Sequence, residues 1–126
     1  MAYGVGKAGC DRMAADCAFE LRKSKVAMIS LWPGPVKTEF ITENVESMDP
    51  TTIGLGGKGD ESSRKNMAKV FEQGESIEFS GKVCAYLAAE GGDKIMSRTG
   101  KIINTADVAR EYGFTDIDGS TPVDFR

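Results

Sequence analysis

The chain contains no histidine. That absence excludes Ser-His-Asp and Cys-His nucleophilic catalysis and every His-ligated zinc site, and it leaves Tyr, Lys, Asp, Glu and Cys as the groups able to move a proton. Cysteine is scarce too. Cys10, Cys17 and Cys84 are an odd number with no CxxC pair, so neither a disulfide framework nor a metal site is expected, and a reducing compartment is the default. The longest nearly apolar run, Val26 to Trp32, has seven residues, too few to span a bilayer. The N-terminus lacks the cationic-then-apolar order of a secretion signal, so neither a membrane span nor a leader is expected. A basic block is also missing. The 16 basic and 19 acidic side chains are interspersed and give a net charge of −3, which argues against a nucleic-acid partner.

What remains is a chain of 126 residues, 40% apolar and 28% charged, the balance of one soluble globular domain with a modest core. In residues 2–24, Cys10, Met13, Ala14, Cys17 and Leu21 recur at three- and four-residue spacing, which predicts a helix with one buried face. Cys10, Cys17 and Met13 are read as packing residues on that face. Val26 to Trp32 reads as a strand covered on both faces in a parallel sheet, and Pro33-Gly34-Pro35 stops it. Trp32, at the strand end beside Pro33, is read as core ahead of a place lining a substrate pocket. From Thr38 to Gly74 periodicity is lost apart from a helical stretch around Arg64 to Gln73, where Arg64, Lys65 and Lys69 form a solvated face. Ser76 caps a second helix, with Ile77, Val83, Cys84, Leu87 and Ala88 on its apolar face and Gly91-Gly92 at its end. Lys101 to Thr105 predicts a short strand, and Ala106 to Tyr112 a last helical turn or two before a polar tail. A helix feeding a buried strand twice over is an α/β pattern.

Two motifs carry possible chemistry. Gly54-Leu55-Gly56-Gly57-Lys58-Gly59 matches the dinucleotide fingerprint GxGxxG literally. That fingerprint needs a buried strand before it, and Asp49-Pro50-Thr51-Thr52 cannot be one, so the stretch reads as a loop. The second motif is Tyr3-Gly4-Val5-Gly6-Lys7, a phenol and an ammonium one helical turn apart on one face. A free phenol, with a pKa of about 10, is a poor base at neutral pH; a nearby cation favours the phenolate and lets the pair exchange a proton near pH 7. Lys7 could also hold ribose hydroxyls. The Pro33-Gly34 turn lies at the carboxyl end of the predicted strand, where open parallel sheets bind ligands.

The YGVGK start, the helix AGCDRMAADCAFELRKS, the strand VAMISLW, the turn PGPVKT and the later TGKIINT together resemble the C-terminal half of a short-chain dehydrogenase/reductase. The resemblance covers essentially the whole chain, with Pro33-Gly34 following Lys7 by 26 residues. It implies the C-terminal part of a Rossmann-like parallel-sheet domain over 1–126, with the N-terminal nucleotide-binding half missing, 39–75 as the substrate-covering loop and 106–126 as a C-terminal tail. Tyr3 would be the general acid in carbonyl reduction and the base in alcohol oxidation, and Lys7 would tune it and bind the nicotinamide ribose. Pro33 and Gly34 would wall the nicotinamide, Val36 would offer its backbone to the carboxamide, and Thr38 would offer its hydroxyl to the carboxamide or pyrophosphate. The implied cofactor is NAD(P), with NADP preferred, and the substrate a small carbonyl or alcohol. The resemblance further implies a homo-oligomer through the first and second helices, located in the cytoplasm or on the cytosolic face of the endoplasmic reticulum.

The glycine-rich first turn, the Asn-Ala-Gly stretch and the catalytic serine of the family have no counterpart here, where only Met1 and Ala2 precede Tyr3. The isolated chain is therefore expected to bind nicotinamide cofactor weakly or not at all and to be inactive alone. Two readings stand beside the enzyme: a truncated form that acts only by pairing with longer subunits, and a small α/β binding module with an accidental Tyr-x-x-x-Lys.

Overall fold

The computed structural model describes residues 2–48 and 60–123. Helix α1, Ala2–Leu21, is rich in alanine and free of proline, as a long helix should be. It tightens into a 3-10 turn over Arg22–Ser24 and stops where Lys25 takes the left-handed conformation, φ 54°, donating its N–H to the Arg22 carbonyl. The chain then runs into strand β1, Ser30–Trp32. Helices α2, Glu39–Asn44, and α3, Glu61–Glu72, follow. Next come α4, Ile77–Ala88, and α5, Gly92–Arg98, then strand β2, Ile102–Asn104, and α6, Thr105–Tyr112.

The two strands pair in parallel, Ser30 opposite Ile102, Leu31 opposite Ile103 and Trp32 opposite Asn104. The pairing is extended backward by the Gly100 N–H to the Met28 carbonyl, 2.7 Å, and the Met28 N–H to the Thr99 hydroxyl, 3.0 Å. Successive strand residues face opposite ways, and this sorts the layers. Leu31 and Ile103 pack on the core formed by Val83 and Leu87 of α4 and Val108 of α6. Ser30 and Trp32 instead face α1, hydrogen-bonding its Asp11. Helices on both faces of a parallel pair make an α/β arrangement consistent with part of a Rossmann-like domain.

Several expectations need correction. The strand read over 26–32 is confined to 30–32, and Val26 and Trp32 are exposed, because β1 has a single paired neighbour among the described residues. In the stretch 39–75 the helix read around Arg64 to Gln73 is present as α3, capped by Asp60 accepting from the Ser63 N–H, but α2 was not expected; Thr38 starts it by accepting from the Ile41 N–H. Cys10 and Met13 are exposed rather than packed. Helix α1 meets the sheet through buried Ala14 and Ala18, and Ala18 lies so near Gly100 that a Cβ there would come within 3.2 Å of its methyl. Contact through alanines brings backbones close and leaves the larger side chains beside that seam in solvent. Gly54 to Gly59 lies outside the described residues. Among those described, no helix is long and apolar enough to cross a membrane.

The ends of α4, α5 and α6 are tied by charge. Arg98 reaches the side chain of Glu90, which is 1% exposed, at 2.6 Å and Glu111 at 2.7 Å, while the Tyr112 hydroxyl donates to Glu90 at 2.5 Å. The Arg98 hydrogen bonds, helped by Tyr112, hold the Glu90 carboxyl below the usual glutamate range. A carboxylate that ionises more readily when folded stabilises the fold above its unfolded pKa, and that contribution fades as pH falls. Replacing Glu90 by Gln should therefore lower the denaturation midpoint at pH 7, with the deficit unchanged down to pH 5 and shrinking below about pH 4.3. A deficit that persists undiminished in acid would show that ionisation of Glu90 is not its source.

Gly74 is constrained by space. A Cβ there would sit 2.0 Å from the Pro35 carbonyl oxygen, whereas at Gly81, inside α4, it would meet nothing within 4 Å. Chemical denaturation should find Gly74→Ala destabilised by at least about 1–3 kcal/mol, from overpacking against backbone. Gly81→Ala should be stabilised by roughly 0.5–1 kcal/mol. Equal midpoints for the two variants would contradict this arrangement.

Candidate functional site

The site is built from one row of α1 and one turn. Tyr3, Lys7 and Asp11 follow one another at four-residue spacing, so they lie one above the next along the helix. Tyr3 is 61% exposed, and the Lys7 ammonium stands over its ring, 5.4 Å from the centroid, within range of a cation–π attraction. One turn further, a single Asp11 oxygen, Oδ1, accepts from the Ser30 hydroxyl at 2.6 Å and the Trp32 indole N–H at 2.8 Å. Those two hydrogen bonds, Ser30's first, hold the Asp11 carboxyl below the ordinary aspartate range, and the charge of Lys7 adds to them. Asp11 thus fastens the row to the carboxyl end of β1.

The turn begins at the next residue. Pro33 and Pro35 have no N–H to continue a ladder, which ends β1. Glu75 then takes hold of the backbone. The Gly34 N–H donates to its Oε2 at 3.1 Å, its own N–H donates to the Pro35 carbonyl at 2.9 Å, and its carbonyl accepts from the Lys37 N–H at 2.8 Å. Val36, flanked by these bonds, forms a parallel bridge with Glu75 and accepts from the Thr38 N–H at 2.8 Å. The Val36 N–H itself meets no acceptor among the described residues. The Thr38 hydroxyl oxygen receives the Ile41 N–H at 3.3 Å as the cap of α2, which leaves its own proton for an acceptor outside the helix.

Of the residues singled out in the sequence, Tyr3 and Lys7 are brought together on α1, and Pro33, Gly34, Val36 and Thr38 form one continuous turn. No hydrogen bond or ion pair joins the two groups directly among the described residues; the connection runs through Asp11. Sequence reasoning missed Asp11 and Glu75. The first carries a visible signal, an acid one turn beyond Lys7 on the same face. The second carries none, since it is one acid among several in a stretch without periodicity. Trp32, 44% exposed, stands at the strand end beside the turn rather than in the core.

No protein-family model matches the chain. Over 98% of its length it is 43% identical to the mouse (Mus musculus) protein "Dehydrogenase/reductase SDR family member 1" and 39% identical to the human (Homo sapiens) protein of that name. The chain is related to the short-chain dehydrogenases/reductases. It spans 36% of the length of each of these curated relatives. Members of that family generally use a nicotinamide cofactor, and the groups present would suit one end of it. Lys7 offers three donors, the Val36 N–H one, and the Thr38 hydroxyl one.

Trp32 is the only tryptophan, so its fluorescence reports on the Asp11 link. Replacing Asp11 by Ala should shift the emission to the red and make the indole more accessible to a neutral quencher, with far-ultraviolet circular dichroism unchanged. Identical emission and quenching in the two proteins would mean that Asp11 does not hold the strand end to α1.

Proposed function

We propose that the chain supplies the catalytic half of an NAD(P)-dependent oxidoreductase that moves a hydride between a nicotinamide cofactor and a carbonyl or alcohol. The observation that carries this reading is the Tyr3 and Lys7 pair, ammonium over phenol, on a helix row that Asp11 binds to the end of a parallel strand. The bound cofactor supplies the hydride. In carbonyl reduction Tyr3 gives its phenolic proton to the carbonyl oxygen as that oxygen gains charge; in the reverse direction the phenolate takes the proton back. Lys7 lends the phenolate a fixed positive neighbour and gives its remaining donors to ribose hydroxyls. Pro33 and Gly34 form one wall of the nicotinamide site, the Val36 N–H meets the carboxamide, and the Thr38 hydroxyl meets the carboxamide or the pyrophosphate. Residues 39–75 cover the substrate.

A partner surface belongs to the same reading. Val5, Met13 and Phe19 on α1 and Ile77 on α4 are 68, 55, 81 and 60% exposed, and apolar area of this kind favours assembly with further copies or longer subunits through those two helices. A form that pairs without turning over is the second reading, and it uses the same faces.

The test is a chimaera in which this chain replaces the matching 123-residue stretch of the mouse relative. It should oxidise NADPH in the presence of a small aldehyde or ketone. Tyr3→Phe should lower kcat on the order of 10²–10⁴-fold, the usual worth of general acid catalysis, with cofactor affinity retained. The 126-residue chain alone should bind NADPH far more weakly than the chimaera. Undiminished turnover by Tyr3→Phe would refute the assignment, and a chimaera that assembles and binds cofactor without turnover would favour the pairing reading.

A further inference from the structure

Glu75 is a buried acid that this mechanism leaves unused. It is 1% exposed, yet its carboxylate is fully engaged: Oε2 accepts from the Gly34 N–H at 3.1 Å and the Thr105 hydroxyl at 2.7 Å, and Oε1 accepts from the Ser80 hydroxyl at 2.8 Å. Its backbone is engaged as well, to Pro35 and Lys37. One residue therefore fixes the Gly34 N–H, the Pro35 carbonyl and the Lys37 N–H. Between those fixed points lies Val36, whose N–H has no acceptor among the described residues. Gly74 permits the approach, since a Cβ there would collide with the Pro35 carbonyl.

A donor held without a partner is useful only if its direction is set before the ligand arrives, because ordering it afterwards would reduce the gain in binding. Backbone bonds at Pro35 and Lys37 form wherever these two stretches pair. The carboxylate adds a third anchor at Gly34 and refers the whole turn to α4, through Ser80, and to the start of α6, through Thr105. We infer that Glu75 is the positioning residue of the nicotinamide site: its carboxylate pre-sets the Pro33–Val36 turn so that the Val36 N–H is aimed at a carboxamide oxygen. The inference rests on the functional reading above, which assigns the turn to the nicotinamide.

The experiment uses the chimaera with the mouse relative, labelled with nitrogen-15, with reduced nicotinamide mononucleotide as the probe; the wild type here is the chimaera without further substitution. In the wild type the Gly34 amide should be protected from hydrogen exchange, and titration should move the Val36 amide resonance downfield. Glu75→Ala should lose the Gly34 protection and the Val36 response, with affinity for the probe lowered roughly tenfold, about the worth of one hydrogen bond to a ligand. Glu75→Gln retains an oxygen for Gly34 and Thr105 and a group to which Ser80 can adapt, so it should restore both signals. If Glu75→Ala fails to fold, Thr105→Val, which removes one donor from the same oxygen, should weaken the Val36 response without abolishing it. A Glu75→Ala or Thr105→Val protein that keeps the full Val36 response, or a Glu75→Gln protein with Gly34 protected and no response, overturns the inference while leaving the functional reading intact. A cofactor-binding chimaera without further substitution in which no amide of residues 34–38 responds overturns that reading, and the inference with it.

Discussion

Four separate stretches of chain converge on the carboxylate of Glu75: its own segment, the turn after β1, α4 through Ser80, and the junction of β2 with α6 through Thr105. A buried carboxylate is costly unless its lone pairs are filled, and here two hydroxyls and one amide fill them. That requirement acts as a geometric constraint. The three donors must lie around one point, so the strand-end turn, the first turns of α4 and the start of α6 cannot shift independently. β1 and β2 run in parallel and end level with each other, Trp32 opposite Asn104. The carboxylate therefore joins the segments that leave both strands, at the carboxyl end of a parallel sheet where ligand sites form.

Asp11 performs a related task at the surface. A helix converts a spacing of four residues into a rise of about 6 Å, so Tyr3, Lys7 and Asp11 form a row about 12 Å long. Anchoring its lower end to Ser30 and Trp32 sets where the whole row begins relative to the turn. The two acids thus divide the work. Asp11 relates the helix row to the strand end, and Glu75 relates the strand end to the rest of the core.

How much of this was legible in the sequence depends on which forces are local. Helix α1, the two short strands, the Ser76 cap and α6 announce themselves by periodicity or by capping chemistry, and each appears close to where it was expected. Tyr3, Lys7 and the Pro33 turn were legible because spacing and proline are local signals. Helix α2 has six residues and α5 seven, too short for a periodic pattern to rise above its surroundings. Glu75 was not legible at all, since its partners lie 5, 30 and 41 residues away. Exposure of Cys10 and Met13 was hidden for a similar reason: whether an apolar face is covered depends on what packs against it, which a single helix does not encode.

Stability is unevenly spread over these elements, and the unevenness bears on the chemistry. The end formed by α4, α5 and α6 combines the Val83, Leu87 and Val108 core with the Glu90, Arg98, Glu111 and Lys94 network. Tyr3 and Lys7 belong to the opposite extreme. Every described residue of 2–10 is exposed, and three glycines in that stretch weaken the helix where it has no packing to compensate. The first tie from α1 to the sheet is Asp11. A local opening of the first helical turns therefore costs little, and anything that touches both Tyr3 and the Val36 turn must order those turns as it binds. Affinity for such a ligand is reduced by that ordering, and a surface that covered residues 2–10 would raise it without making any contact to the ligand. On this physical basis, covering the exposed apolar face of α1 and ordering the helix row that carries Tyr3 are coupled.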